Sequence, residues 1–313
     1  MSTSAGAQAG GNAGVVVATD GSAAGSAAVR YAVAQARRTG TGVHVVHVLP
    51  SYVPVVPMLP LIPDDLHAVG RSILVEAVQV ASEADPHAVV RTELRSGPTA
   101  REIVEAAGAA RLIVVGHEST PGWERVFTGA ITLEVAAHAP CPVISVPEDW
   151  TREEGRRERI VVGYQDVAHE ADLLPHAFVV AAARDADLTI LHAWKLPGCY
   201  DDMIVRRTHE DEWHAAARER IESQIAGLRA DNPEVEVDVS VVHDQPAHAL
   251  REASKDVDLL LVGRHADSGV RHLGSTARAL LREATCPVEV VPTRLLGTPD
   301  EELRLERAGA PLK

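Results

Sequence analysis

A doubly wound α/β architecture, present twice in tandem, is predicted here by three observations. Short apolar runs of the buried-strand type alternate with helix-length, Ala-rich segments along most of the chain. Hydrophobic residues make up 46% of the 313, but aromatics only 3%. The cores must therefore be built from Val, Leu, Ile and Ala, which suits parallel strands buried on both faces beneath Ala-rich helices. Finally, the pattern restarts. The same 145 residues separate Cys141 from Cys286 and His47 from His192, an offset that signals an internal duplication.

Each element has its own justification. Residues 15–18 read Val-Val-Val-Ala, a run suited to a central strand, and stop at Thr19-Asp20-Gly21-Ser22. Ser22 is placed to cap a helix from Ala23 to about Arg38, which Gly40 closes. A second strand covers 43–49. Residues 50–63 hold five prolines, a density that neither a helix nor a central strand tolerates, so they read as a long loop: a lid or a surface excursion. A helix is expected over about 65–84 and a strand over 88–94. Thr99 is placed to cap a helix through Ala107. A strand at 112–115 leads into a glycine-hinged loop from Gly116 to Gly129. A helix from about Ala130 to Ala139 and a strand at 142–146 complete the first half. Five strands alternate with four helices, which implies a parallel sheet with right-handed crossovers.

Residues 148–158 are charged and read as a solvated linker. Beyond it, strands at 159–163, 188–193, 235–242, 259–262 and 287–291 echo the first set, and one charged helix is expected over 208–229. The expected domains are thus 14–147 and 159–292. A Gly/Ala/Ser-rich tail at 1–13 and a charged tail at 293–313 flank them.

Charge and composition narrow the function. A net charge of −14 disfavours nucleic acid as the main partner, since phosphate backbones call for a basic footprint. The N-terminal segment has neither the basic nor the apolar region of a signal peptide, and no apolar run reaches membrane-spanning length. Three cysteines do not make a disulfide framework. A cytoplasmic protein is the expectation. His44 and His47 are three apart on a strand and face opposite sides, which makes them poor joint metal ligands. No Walker A loop, dinucleotide fingerprint or Ser-His-Asp order stands out.

What does stand out is a strand that runs into Gly116, followed by a loop to Gly129-Ala130. Its counterpart runs from Gly263 to Gly274-Ser275. Backbone N–H groups and a helix start at such a place can hold phosphate.

Five ordered motifs carry a resemblance: Val-Val-Val-Ala-Thr-Asp-Gly-Ser (15–22), Val-Val-His-Val (45–48), Gly-Pro-Thr-Ala-Arg-Glu-Ile (97–103), Leu-Ile-Val-Val-Gly (112–116) and Ala-Pro-Cys-Pro-Val (139–143). The second half repeats Ile-Leu-His-Ala (190–193), Leu-Leu-Leu-Val-Gly (259–263), Leu-Gly-Ser (273–275) and Thr-Cys-Pro-Val (285–288). Together they resemble the universal stress protein (UspA-like) family over nearly all of 14–292, in a tandem form similar to those of actinobacteria. The resemblance implies two flavodoxin-like, doubly wound domains. Each would have a five-stranded parallel sheet in the order 3-2-1-4-5, with ligand at the carboxyl ends of the strands.

It also implies ATP or AMP as ligand, with Mg2+ as an optional companion, and a role as a stress-response sensor or regulator. Mapped onto this chain, the implied first-half site is Ala18, Thr19, Asp20, Val48, Val115, Gly116, Ser119, Gly129, Ala130 and Ile131. Asp20 would anchor adenine or ribose, or else simply cap its turn. Ser119 stands where the family has glycine, and Ala130 where it has Ser or Thr. The implied second-half set is Ala193, Gly263, Gly274, Ser275 and Thr276. There Gln165 replaces the acid, and the loop from Gly263 is two residues shorter. Ser275 can serve as a phosphate ligand or as a helix cap. On loop length and the acidic anchor, the first half is the expected nucleotide site. The competing reading is a nucleotide-free dimeric interaction scaffold with degenerate sites. A homodimer or a regulatory protein is the expected macromolecular partner. Slow ATP hydrolysis is the most that would be expected of it as an enzyme.

Overall fold

The computed structural model describes residues 14–50, 63–118, 125–151, 155–165, 172–196, 198–264 and 273–292. The predicted tails, the proline-rich loop 51–62 and Ser119 lie outside them. The chain divides into two compact units, Met1–Glu118 with Ala139–Asp149, and Ser119–His138 with Trp150–Lys313.

In the first unit β1 (Val15–Ala18), β2 (Val43–Pro50), β3 (Val90–Gly97), β4 (Leu112–His117) and β5 (Val143–Pro147) form a parallel sheet in the order β3-β2-β1-β4-β5, as expected. The central strand is short because three valines suffice to fill it, and Val15, Val16 and Val17 are all buried. It then breaks at Gly21, whose φ of 85° suits a residue without a side chain. Ser22 caps α1 (Ala23–Thr39) by accepting from the Gly25 N–H at 3.0 Å, and left-handed Gly40 ends it. α2 (Pro63–Ala84) lays Leu74, Ala77 and Ala81 on the core at helical spacing. α3 (Thr99–Ala107) corrects one detail: Pro98 occupies the cap, so Thr99 lies within the helix and makes no cap bond.

The second unit repeats the plan. β6 (Glu158–Gly163), β7 (Ala186–Trp194), β8 (Val237–His243), β9 (Leu259–Arg264) and β10 (Val288–Pro292) are parallel in the order β10-β9-β6-β7-β8, the same winding read from the other end. α5 (Leu173–Arg184), α8 (Pro246–Ala253) and α9 (Ser275–Glu283) belong to its crossovers. Phe178, Ile160, Leu188, Ile190, Ile221 and Leu259 centre the core.

Three further expectations are corrected. The single helix over 208–229 is two, α6 (Cys199–Thr208) and α7 (Glu210–Asp231), broken at His209 where φ is −138°. α6 carries little apolar periodicity. A part-buried polar pair ties it to β8, with His243 Nε2 2.7 Å from Asp202 Oδ1. The charged linker is not merely solvated: Arg156 clamps Asp258 through two bonds of 2.8 and 2.7 Å, and Arg157 reaches Asp187 at 2.9 Å. Finally, α4 (Arg125–His138) starts five residues before the expected Ala130 and belongs by its contacts to the second unit, where it packs on α9.

Candidate functional site

The sheet of the second unit reverses its winding between β6 and β9, and crossover helices leave that point in opposite directions. Such a switch point opens a crevice beyond the strand ends. A cleft open to solvent lies there. It is lined by Gly163 at the end of β6 with Tyr164 and Gln165 after it, by Leu191 and Ala193 of β7, and by Val262 and Gly263 near the end of β9. α8 contributes Pro246 and Leu250, and α9 contributes Thr276 and Ala277.

Local chemistry explains why these residues converge. At Gly163 a Cβ would come within 2.6 Å of Leu250 Cδ1, so glycine lets α8 close on β6. The residue after β6 is pinned twice. The Tyr164 carbonyl accepts from His192 Nδ1 at 3.0 Å, and the Tyr164 hydroxyl donates to Gln224 Oε1 at 2.7 Å. α9 begins cleanly: the Arg278 N–H bonds the Gly274 carbonyl at 3.1 Å, which makes Gly274 the cap. Ser275 is therefore the first residue of the helix and not its cap, correcting one of its two expected roles. The N–H groups of Ser275, Thr276 and Ala277 have no partner within the helix. Two of these three residues line the cleft.

Beyond Ala193, the Trp194 ring packs against His243 at 4.5 Å and Trp213 at 5.1 Å between centroids. The His243 bond and the Leu196 N–H hold the Asp202 carboxyl below its ordinary pKa, so it stays ionised where it ties α6 to the end of β8.

The first-half candidates are placed differently. Thr19 is buried, and its Oγ1 accepts from the Gly21 N–H at 3.2 Å. Asp20 is exposed and uses Oδ1 to accept from the Ser22 N–H at 3.0 Å, which is the turn-capping role. Ala18 ends β1, and Val48 and Val115 are buried strand-end residues. At Gly116 a Cβ would lie 2.3 Å from the Ala24 carbonyl oxygen, so the glycine allows the start of α1 to lie on β4. Gly129, Ala130 and Ile131 belong to the other unit, in the second turn of α4. A helix that starts at Arg125 engages the Gly129 N–H with the Arg125 carbonyl.

Sequence reasoning named Ala193, Gly263, Gln165 and Thr276 but missed the apolar walls Leu191, Pro246 and Leu250. Pro246 and Leu250 lie four apart on one helix, the spacing that marks a shared face, but nothing in the sequence says which strand that face meets.

Comparison with known proteins bears on this arrangement. The family model of the universal stress protein family matches residues 13–147 and again 156–292. The chain belongs to the universal stress protein family. A universal stress protein of Mycolicibacterium smegmatis is 28% identical over 289 residues, covering 90% of this chain and 97% of the relative. One from Mycobacterium tuberculosis is 27% identical, covering 88% and 95%. A solved universal stress protein from Archaeoglobus fulgidus superposes with a TM-score of 0.66 at 18% identity, over 89% of this chain and 96% of that one. The chain is thus a tandem universal stress protein. No described helix is long and apolar enough to cross a membrane.

Proposed function

We propose that this universal stress protein binds an adenine nucleotide in the strand-end cleft of its second half and acts as a stress-response sensor or regulator. One observation carries the reading. Gly163, Gln165, Ala193, Gly263 and Thr276, contributed by three strand ends and one helix start, line a single cleft at the switch point. Leu191, Leu250 and Val262 give apolar walls for a base, and the N–H groups at the start of α9 give a place for an anion. The favourable end of a helix dipole contributes about 0.3–1 kcal/mol to such an anion at an exposed site, and up to about 2 in partly buried geometry.

The expectation from sequence favoured the first half. There the glycine-alanine pair meant for phosphate lies inside α4, where the Gly129 N–H is already committed to the helix. That favours a second reading for this half alone, a nucleotide-free domain serving as scaffold.

Titration calorimetry on the full chain tests both readings. One saturable site for AMP or ATP is expected. Filling the cleft with Ala193→Leu should abolish it, and Asp20→Ala should not. If Asp20→Ala removes binding and Ala193→Leu leaves it, the assignment of the halves is reversed. If the wild-type chain binds neither AMP nor ATP, the nucleotide reading falls.

A further inference from the structure

At the outer edge of the first half's sheet, an arginine donates to a buried histidine. Arg91 Nη2 lies 2.9 Å from His44 Nδ1, and His44 is only 1% exposed. A guanidinium only donates, and it keeps its charge throughout the physiological range. His44 Nδ1 must therefore accept, which leaves the ring proton on Nε2 and the imidazole neutral. Nε2 lies 3.0 Å from Glu93 Oε2, close to it but not aligned as a hydrogen bond.

We propose that His44 is an acid-sensitive latch on β3: protonation of its ring expels Arg91 and loosens the start of that strand from β2.

Strand register assembles the latch. His44 stands opposite Arg91, Val46 opposite Glu93 and Val48 opposite Arg95, so these six share one face of the sheet. His47 and Leu49 alternate to the other face, where Gly70 of α2 meets them. The His44 face is the one that α3 covers, since Arg95 Nε donates to Glu102 Oε2 at 2.8 Å. Among the described residues, its charged groups are Arg91, Glu93 and Arg95 of β3 and Arg101, Glu102 and Glu105 of α3. β1 places only Val16 beside the ring.

The carboxylates on this face are already engaged. Glu93 Oε1 accepts from Arg95 Nη1 at 2.8 Å, Glu102 is taken by Arg95, and Glu105 Oε1 accepts from Arg101 Nε at 2.7 Å. A proton on Nδ1 turns the acceptor into a donor that faces a cation, so the Arg91 bond cannot survive it. Arg91 is exposed and has water to swing into, whereas the ring has none until the strand opens. Burial, and then the Arg91 charge, hold the His44 pKa below the ordinary histidine value, and Glu93 pulls the other way without cancelling them.

The sign follows from linkage. A ring that resists protonation when closed, but takes a proton freely when open, leaves the pairing at full strength above the ordinary value of 6.5 and weakens it as pH falls. β3 is suited to respond, because it is the outermost strand of its half and exposes Arg91 and Thr92. Weakly covered edge elements open locally before the core does. At the equivalent register the second half pairs Thr189 with Asp238, and a threonine hydroxyl does not titrate in this range.

Amide exchange of the full chain tests this, read by mass spectrometry at pH 7.5 and 5.5 and normalised at each pH to the unfolded chain. Protection of peptides spanning 90–97 should fall about three- to tenfold at the lower pH, tenfold being roughly the ceiling for one histidine that titrates near 6.5 when open. Peptides spanning 112–117 of β4 should change less than about twofold. His44→Gln keeps an acceptor for Arg91 and a donor for Glu93 but does not titrate, so it should hold 90–97 within about twofold. A flat wild type, an equal fall at 112–117, or an undiminished fall in His44→Gln overturns the proposal. If His44→Gln does not fold, Arg91→Gln decides. Its amide can turn an oxygen towards a protonated ring, so the fall should shrink at least about twofold, and an unchanged fall means that Arg91 is not the latch.

Discussion

The two halves of this protein place the same motif in different settings. In the first half Gly116, one residue before the end of β4, lies against the start of α1, the acid after β1 caps its own turn, and the helix after the loop begins early enough to swallow Gly129 and Ala130. In the second half the helix begins at Ser275, directly after Gly274, and the residues around it open a cleft. The loop leading to it is two residues shorter. Family spacing and motif identity favoured the first half; helix starts favour the second. Phosphate recognition by backbone depends on which amides the helix leaves unpaired, and a shift of one helical turn decides that.

The largest expected effect tests a different contrast between the halves. On α5, His176 Nε2 lies 2.6 Å from Glu289 Oε1 on β10, and the glutamate is almost wholly buried. At the equivalent positions, 145 residues earlier, the first half has Tyr31 and Ile144, both buried. Removing one partner of a buried pair leaves an uncompensated charge, so His176→Ala should cost about 3–5 kcal/mol in denaturant unfolding followed through the Trp194 and Trp213 emission. Copying the first half with His176→Tyr and Glu289→Ile together should be neutral or stabilising by about 1–4 kcal/mol. A double variant as weak as the single would show that the halves are not interchangeable here.

The same pair sets a pH dependence. Burial works to lower the pKa of His176, but the hydrogen bond to Glu289 and its charge outweigh burial and raise it above the ordinary histidine value. A raised folded-state pKa adds stability in full below the unfolded value and loses it as pH climbs through the folded one. Wild type should therefore lose stability as pH rises above about 6.5, and the double variant should lose less. A flat difference between the two across that range would refute the pairing.

Much of this was legible in the sequence because it follows from periodicity. Strand runs such as Val15-Val16-Val17, the Ser22 cap, the Gly40 stop and the duplication all have local signatures that the structure repeats. Helix starts without a side-chain cap were not legible. α4 begins at Arg125, and α3 and α9 are capped by Pro98 and Gly274 without a side-chain bond. α6 escaped notice because its tie is polar and distant in sequence, Asp202 to His243. The cleft walls escaped because Pro246 and Leu250 acquire their role only when α8 closes over Gly163. Sequence pattern records what a segment does with itself. It records little of what a loop leaves exposed to a neighbour.

Glycines at the two strand ends sharpen the comparison at intermediate size. A Cβ on Gly116 would meet backbone, the Ala24 carbonyl at 2.3 Å; one on Gly163 would meet the end of the Leu250 side chain at 2.6 Å. Backbone yields less than a leucine tip. Gly116→Ala should cost about 1–3 kcal/mol, and Gly163→Ala clearly less. Equal losses would mean that α1 can shift as readily as a side chain can turn.

The histidine tethers come next. His47 Nδ1 bonds the Thr19 carbonyl at 2.8 Å in a buried setting, and His192 Nδ1 bonds the Tyr164 carbonyl at 3.0 Å in a partly buried one. Phenylalanine at either position keeps the ring and strands the carbonyl, at a cost of about 1–3 kcal/mol for a fully buried group. His47→Phe should lie near the upper end and His192→Phe near the lower, because solvent can reach part of the second site. Thermal unfolding of the two variants side by side decides it, and the reverse order would refute a penalty graded by burial.

The smallest effect concerns the two halves' shared cysteine. Cys141 and Cys286 are both buried thiols outside any disulfide, each ahead of the last strand of its half. Burial pushes the Cys286 thiol up to about 12 from an ordinary value of 9.0. A rise of that size lowers the thiolate fraction at neutral pH roughly a thousandfold, and the thiolate is the nucleophile. Neither thiol should be alkylated by iodoacetamide in the folded chain over the time in which unfolded chain is fully labelled, and peptide mapping after a pulse reports each cysteine separately. Substituting either by alanine should leave the affinity for AMP unchanged, because neither lines the cleft. Rapid native labelling of Cys286 alone would mean that the start of the last strand opens more readily in the second half than in the first, and that would extend the asymmetry between the halves from their helix starts to their stability.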